Sequence, residues 1–250
     1  MRSSFPGGVR FRSVFLSDVH LGSPRSQAEL LLDFLAHVQA EYLYLVGDIV
    51  DDGRAPGHER WPPAHRAVLD AVVRKAREGT RVHYVPGNHD GGAVRAWGWR
   101  EEELVISSEM EHRTADGRRI LVVHGDGFDE VVHRRRWLGR VGDALARAIE
   151  AVGARLGALA GRRDARLGVT LKERCKRWLG YTARFERLAL DAARGRRLDG
   201  IICGHVHTAA SRTIGGLYYG NGGDWVGSGT ALVEHDDGRL ELLTWRSRVA

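Results

Sequence analysis

Short apolar runs alternate with longer amphipathic segments along the first half of the chain. The apolar runs lie at residues 11–17, 42–48 and 81–87, and each has the length of a buried strand. Between them, residues 26–40 and 64–79 carry apolar side chains at the three- and four-residue spacing of amphipathic helices. This order predicts a βαβαβ unit with parallel strands.

Further strand candidates follow at 103–108 and 119–125. After a long helical stretch come four more, spaced like a meander, at 200–208, 216–223, 230–237 and 239–245. The pattern predicts an α/β fold in which mixed β-sheets are sandwiched between flanking helices.

Residues 128–197 differ in character from the rest of the chain. One amphipathic helix is predicted from apolar residues at steps of three and four, at Trp137, Val141, Leu145, Ile149, Val152, Leu156 and Leu159. A second helix is predicted at 171–179 and a third at 185–192. Since strands resume at Gly200, we expect a helical cap over 128–197, inserted into a sheet domain formed by 1–127 and 198–250.

The positive charge is concentrated in this predicted cap. It holds sixteen arginines and two lysines against eight acidic residues, a net charge of +10, whereas the whole chain carries +6. An anionic partner or a merely solvated basic face would each explain the excess.

The two cysteines are far apart and favour a reducing compartment. The first residues lack the apolar stretch of a signal peptide, and no apolar run could span a membrane, so we expect a cytoplasmic protein.

Polar residues follow directly on many of the predicted strands. The carboxyl edge of an open α/β sheet is where ligands bind. The polar residues predicted to lie at this edge are Asp18, His20, Asp48, Asn88, His89, Asp90, His124, His205 and His207. Taken singly, most of these short motifs are also typical of ordinary turns. Gly-His-x-His is more specific, because two imidazoles projecting to one side repel each other when protonated and are kept neutral by a metal.

The donor types predict a metal site. Carboxylate, imidazole and amide donors suit Mn²⁺, Fe²⁺ or Zn²⁺, and the absence of cysteine ligands argues against a structural zinc site. Seven donors are too many for one tetrahedral ion. Two ions sharing a carboxylate would use them all, and such pairs catalyse in-line displacement at phosphorus.

The motifs DVH, GDIVD, GNHD, HGD and GHVH resemble the five signature blocks of the calcineurin-like metallophosphoesterases. The resemblance implies that Asp18, His20 and His207 hold one divalent ion, most often Mn²⁺. Asn88, His124 and His205 would hold a second ion, with Asp48 bridging the two. It also implies that His89 contacts the phosphoryl oxygens or protonates the leaving group, while Asp90 orients its ring. Asp126 is either a carboxylate that orients His124 or a solvated loop residue.

Residues 171–186 and 218–242 resemble a branch of bacterial UDP-2,3-diacylglucosamine diphosphatases, enzymes of lipid A biosynthesis at the cytoplasmic face of the inner membrane. The resemblance implies hydrolysis of this nucleotide-lipid to UMP and 2,3-diacylglucosamine 1-phosphate. An apolar-striped basic cap would bury acyl chains while its cations meet phosphates or anionic headgroups, or the stripe would only pack the cap on itself. Asn88, His89, Lys172, Arg174 and Lys176 are the candidate substrate contacts.

Two other function classes remain open at this stage. A nuclease or a phosphodiesterase of soluble nucleotides would share the same metal centre, but the basic residues are not interleaved with a stacking series of aromatics, which disfavours nucleic acid. A non-catalytic scaffold of the same fold is the other, and the presence of every expected ligand argues against it. Trp178 and Trp225 are expected to serve in packing.

Overall fold

The computed structural model describes residues 8–51, 61–91, 104–128 and 166–246, and of residues 166–179 it describes the backbone alone. Within these ranges the helices are α1 (Ala28–His37), α2 (Pro63–Arg77) and α3 (Arg166–Gly195). The strands are β1 (Val9–Leu16), β2 (Val38–Val46), β3 (Arg81–Val85), β4 (Val105–Ile106), β5 (Glu109–Arg113), β6 (Arg119–Val123), β7 (Gly200–Cys203), β8 (Ala210–Ile214), β9 (Leu217–Asn221), β10 (Thr230–Glu234) and β11 (Leu240–Thr244).

The strands form two mixed sheets. The first has six strands in the order β11-β10-β1-β2-β3-β4, of which β1 to β4 are parallel. The second has five strands in the order β5-β6-β7-β9-β8, with β6, β7 and β9 parallel. The predicted βαβαβ unit and the α/β class are therefore confirmed.

Alternation along the central strands divides the core into two layers. Val14 and Leu16 of β1 pack in a cluster with residues of α1 and α2, on the helix side of the six-stranded sheet. Phe15 points the other way and packs with Tyr44 and with Ile120 of the second sheet. The two sheets therefore face each other, and α1 and α2 cover the outer face of the first.

A buried carboxylate also joins the two sheets. Glu234 of β10 is fully buried and accepts hydrogen bonds from Arg12 (2.8 Å) and Ser13 (2.5 Å) of β1. From the second sheet it lies 2.8 Å from Nε2 of His112 and accepts from the amide of Ala115 at 2.7 Å. Every donor reaches a charged acceptor, so the network is satisfied although it is buried.

Three details differ from the sequence-based expectations. Two strands were not predicted, β5 and β8, because their sequences EMEHR and ASRTI are largely polar. The predicted meander is wrong, since β7 and β9 are parallel and the chain crosses to the other sheet before β10. The two helices predicted at 171–179 and 185–192 are a single helix, α3.

The chain divides into two compact units, one formed by Met1–Asp126 with Leu190–Ala250 and the other by Gly127–Ala189. The predicted amphipathic stripe at 137–159 lies outside the described residues. Among the helices that the structure describes, none is long and apolar enough to cross a membrane.

Candidate metal centre

Six of the predicted metal ligands lie in loops at the carboxyl ends of strands from both sheets. The six-stranded sheet supplies Asp18 and His20 after β1 and Asp48 after β2, and the five-stranded sheet supplies His124 after β6 and His205 and His207 after β7. The loops after β1 and β2 remain hydrogen bonded to each other, since the amides of Asp18 and His20 donate to the carbonyls of Gly47 and Asp48.

These six residues form two groups of candidate ligands. Asp18, His20 and His207 make up one, and Asp48, His124 and His205 make up the other; within each group the donor atoms lie within 4.8 Å of one another. In the first group, Nε2 of His207 is 3.3 Å from Oδ1 of Asp18 and 3.4 Å from Nε2 of His20. Three convergent donors of this kind can hold a divalent cation.

The backbone is strained at five of the six positions. In the described part of the chain, six residues other than glycine have a positive φ, and five of them are Asp18 (54°), His20 (52°), Asp48 (52°), His205 (70°) and His207 (50°). A left-handed conformation is costly for these side chains and persists where the surrounding structure enforces it, most often at functional sites. The strain thus marks the same residues that the sequence motifs marked.

Glycines in the motifs allow the loops to approach this closely. A Cβ on Gly87 would come within 2.6 Å of the Asp48 nitrogen and 2.7 Å of His124 Cδ2. A Cβ on Gly204 would lie 2.8 Å from Cβ of Ser17 and still closer to the Asp18 carboxylate. Neither space admits a side chain, which explains the glycine before the ligands in GNHD and GHVH.

His124 shows that the second group fits a cation. Its Nδ1 lies 3.1 Å from the carbonyl oxygen of Val46, which can only accept, so Nδ1 carries the hydrogen of the neutral ring. Nε2 then presents its lone pair 3.3 Å from Oδ2 of Asp48, and within the described ranges this buried atom has no hydrogen-bond partner. Two buried acceptors facing each other need positive charge beside them.

The pKa values show the same demand for positive charge. Burial raises the pKa of Asp18 to about 7. Burial acts to lower the pKa of His124, but the nearby carboxylates of Asp48 and Asp18 outweigh it and raise the value to about 9, so that without a cation a proton on Nε2 would supply the missing positive charge. Burial acts to raise the pKa of Asp48, yet His124 lowers it to about 2. The site therefore favours a positive charge at its centre.

The role expected for Asp90 is wrong in one respect. Nδ1 of His89 lies 2.7 Å from Oδ1 of Asp51, so Asp51 rather than Asp90 orients the His89 ring. The buried Asp90 carboxylate instead accepts from the backbone amides of Asp48 (2.8 Å), Val50 (2.9 Å) and Gly87 (2.7 Å). The bonds to Asp48 and Val50 tie the loop after β3, which carries Asp90, to the loop after β2.

Asn88 and His89 lie in the turn after β3. Asn88 is exposed, and His89 keeps 38% of its side chain exposed, so both can reach a bound molecule. The amide of His89 donates to Oδ1 of Asp48 at 2.9 Å, and the His89 ring stacks edge-on against His20 at 5.0 Å. His89 therefore borders both the bridging candidate and the first ligand group.

The structure places the other candidates outside the site or outside the described side chains. Asp126 does not orient His124, whose Nδ1 is bonded to the backbone of Val46 instead. Trp225 is fully buried in the core, as expected. The side chains of Lys172, Arg174, Lys176 and Trp178 lie outside what the structure describes.

Two residues of the site received no role from sequence reasoning. Asp51 is the last residue of the GDIVD motif, and Asp224 follows β9 and lies 3.7 Å from His207. The signal for Asp51 was its place in a motif that already supplied one ligand. The signal for Asp224 was its place just past a strand, which is shared with every residue of the ligand set.

The calcineurin-like phosphoesterase family matches residues 11–209, which include every ligand loop just described. The chain belongs to this family. The match confirms the resemblance carried by the five motifs and the predicted fold. For this calcineurin-like phosphoesterase, the two donor groups are the metal-ligand candidates of the family's reaction centre.

Named relatives are more distant. UDP-2,3-diacylglucosamine hydrolase of Photorhabdus laumondii is 26% identical over 117 residues, 46% of this chain and 48% of the relative. The hydrolase of that name from Escherichia coli is 27% identical over the same shares. The DNA polymerase II small subunit of Methanothermobacter thermautotrophicus is 25% identical over 159 residues, 48% of this chain and 32% of the relative. The chain thus spans about half the length of the hydrolases it matches.

Solved structures cover nearly the whole chain at low identity. An archaeal phosphodiesterase has a TM-score of 0.48 at 11% identity, over 93% of this chain and 98% of that chain. Yfce, a phosphoesterase from Escherichia coli, has a TM-score of 0.44 at 15% identity, over 94% of this chain and 99% of that chain. At these TM-scores neither structure bears on the substrate.

Proposed function

We propose that this calcineurin-like phosphoesterase is a hydrolase that uses two divalent cations, Mn²⁺ by preference, to cleave the diphosphate of UDP-2,3-diacylglucosamine. The observation that carries the reaction class is the pair of donor groups, Asp18, His20, His207 and Asp48, His124, His205, in one loop cluster. Asn88 would complete the second group, and Asp48 would be shared. Cations bound there would supply Lewis acidity, lowering the pKa of a water molecule and offsetting negative charge on the phosphate.

His89 would act on the leaving group. Its Nδ1 donates to Asp51 at 2.7 Å, which fixes the ring and leaves Nε2 as the atom that can reach a substrate. With the ring held in this orientation by Asp51, Nε2 is the atom that would deliver a proton to the phosphate oxygen that departs. Asp90 would hold the two loops in register, so that Asp48 and His89 keep their separation.

The substrate proposal has separate support. Both hydrolase relatives have the name UDP-2,3-diacylglucosamine hydrolase. The sequences of residues 171–186 and 218–242 independently resemble the same branch of enzymes. A segment with a net charge of +10 suits a substrate that carries a diphosphate and lies at an anionic membrane surface. Water would attack the uridylyl phosphorus, the diphosphate P–O bond would break, and the products would be UMP and 2,3-diacylglucosamine 1-phosphate.

A hydrolysis screen tests both levels of the proposal. Protein reconstituted with Mn²⁺ is assayed on UDP-2,3-diacylglucosamine, deacylated UDP-glucosamine, bis-p-nitrophenyl phosphate and single-stranded DNA. We expect the acylated substrate to be turned over far faster than the deacylated one, because acyl burial contributes about 0.8 kcal/mol per CH₂. In ¹⁸O-labelled water the label should enter UMP.

Other outcomes of the screen would redirect the assignment. Equal turnover of the acylated and deacylated substrates would overturn the lipid proposal and favour a phosphodiesterase of soluble nucleotides. Preferential cleavage of DNA would favour a nuclease, the class that the basic segment also suits. Loss of all activity with intact metal content would indicate a scaffold.

A further inference from the structure

The loop after β9 is locked onto the loop that carries His205 and His207. Asn221 is fully buried; its Nδ2 donates to the carbonyl of Gly204 at 2.8 Å and its Oδ1 accepts from the amide of Gly223 at 3.0 Å. The amide of Gly222 also donates to Cys203 at 3.1 Å. The residue after Gly223, Asp224, is therefore held at a fixed position beside the loop of His205 and His207.

Asp224 follows, and its two carboxylate oxygens have different surroundings. Oδ1 accepts from three successive backbone amides, those of Val226 (3.0 Å), Gly227 (2.6 Å) and Ser228 (3.0 Å). The residue is only 6% exposed, so its charge is withdrawn from water. Oδ2 faces the other way and lies 3.7 Å from Nδ1 of His207.

The His207 ring is thus placed between two kinds of neighbour. Nε2 points toward Oδ1 of Asp18 (3.3 Å) and Nε2 of His20 (3.4 Å), the other donors of its group. Nδ1 points toward Asp224. A histidine that binds a metal through one nitrogen usually donates its other N–H to a carboxylate, carbonyl or water, which fixes the tautomer and the ring orientation.

We propose that Asp224 is a positioning residue for His207: its Oδ2 holds the hydrogen on Nδ1 and so leaves the Nε2 lone pair facing Asp18 and His20. A separation of 3.7 Å is too long for a hydrogen bond, so the carboxylate acts on the tautomer of the neutral ring through its charge. The inference rests on the proposed function in one respect, that this donor group binds a divalent cation.

Asp224→Asn is the test variant, with Mn²⁺ as the probe. The amide can keep the acceptor for the turn at 226–228, but it presents an N–H toward Nδ1 and so favours the opposite tautomer, with hydrogen on Nε2. We expect Mn²⁺ affinity at one of the two sites to fall by about 10–100-fold. Equilibrium dialysis with elemental analysis, or Mn²⁺ electron paramagnetic resonance, measures it without any substrate.

Two further variants separate positioning from packing. Ser228→Ala removes the hydroxyl that accepts from the Asp224 amide (3.1 Å) and donates to its carbonyl (2.9 Å), so it perturbs the same turn but leaves Oδ2 in place. We expect it to keep Mn²⁺ affinity. In a His207→Ala background, Asp224→Asn should add no further loss, because its effect passes through the ring.

Unchanged Mn²⁺ affinity in Asp224→Asn would overturn the proposal. So would an equal loss in Ser228→Ala, or additive losses in the double variant, since either would give Asp224 a purely structural role. Failure of the proposed substrate looks different: the wild type and the variants would show these metal affinities while UDP-2,3-diacylglucosamine remained uncleaved.

Discussion

At the scale of single residues, Asp48 connects more parts of the site than any neighbouring ligand described above. Its Oδ1 accepts from the amide of His89, its Oδ2 lies 3.3 Å from Nε2 of His124, and its own amide donates to Asp90. A residue with these links controls both a ligand group and the loop that carries His89. Its replacement should therefore affect metal binding and rate together.

Asp48→Asn should lower the Mn²⁺ content and nearly abolish phosphodiesterase activity, because a neutral amide cannot offset the charge of a shared cation. Metal analysis after dialysis and turnover of bis-p-nitrophenyl phosphate measure the two effects. Asp70→Asn, on the exposed face of α2, is the matched control and should change neither. Two retained ions with normal turnover in Asp48→Asn would contradict the bridging role.

His89→Ala should keep the metal content yet lose about 10²–10⁴-fold in kcat, the usual contribution of a positioned acid or base. Asp51→Asn should reproduce part of this loss, since Asp51 orients the ring from 2.7 Å. Steady-state kinetics with parallel metal analysis distinguishes the two effects. If metal is lost along with rate, His89 is a ligand instead.

Residue identity alone predicted which side chains meet, but not how they are partnered. The six candidate ligands lie in one loop cluster, and each of them could be located in the sequence because it follows a strand whose apolar pattern is clear. The sequence motif assigned the orientation of the His89 ring to its neighbour Asp90. The residue that orients the ring is Asp51, which lies on another loop. Tertiary hydrogen bonds of this kind depend on loop geometry, which no local pattern encodes.

At the scale of elements, the glycine of GHVH allows the loops after β7 and β1 to pack closely against each other. Gly204→Ala should destabilise the protein by about 1–3 kcal/mol and reduce its Mn²⁺ content, because the added methyl group meets Ser17 and Asp18. Urea denaturation gives the stability. The control is Gly180→Ala in α3, where a Cβ meets nothing within 4 Å and a gain of about 0.5–1 kcal/mol is expected. Equal effects of the two substitutions would contradict the steric argument.

Elements with a strong apolar period could be predicted, and those without one could not. The buried strands β1, β2, β3, β6 and β7 and the helices α1 and α2 all follow from periodicity. The polar strands β5 and β8 are at the edges of the five-stranded sheet, where one side of the strand needs no partner and polar side chains are tolerated. The order of strands after β7 could not be read from spacing, since neighbours in sequence can join different sheets.

At the scale of the whole molecule, the buried Glu234 network makes stability depend on acid pH. Burial acts to raise the pKa of Glu234, but the hydrogen bonds from His112 and Ser13 outweigh it and the pKa lies below the ordinary 4.5. A carboxylate with a lowered folded-state pKa stabilises the fold fully above its ordinary pKa. That stabilisation is lost as the pH falls through the folded-state value.

Glu234→Gln should therefore cost about 1–3 kcal/mol at neutral pH, with the difference from wild type shrinking as the pH falls below about 4. Denaturant titrations from about pH 3 to about pH 7 measure it. Glu241→Gln is the control, because its pairs with Arg239 and His235 are at the surface and contribute little. A constant difference across this range would show that Glu234 does not act through its charge.

The ligand loops come from both sheets, and this has a mechanical consequence. Asp18 and Asp48 follow strands of the six-stranded sheet, while His124, His205 and His207 follow strands of the five-stranded sheet. A cation held by either group would act as a cross-link between the two halves of the sandwich, so that neither could open alone. In hydrogen exchange, removing the cation with a chelator should then accelerate the amides of β1, β2, β6 and β7 together, whereas those of β8 and β11, at the far edges, should change least.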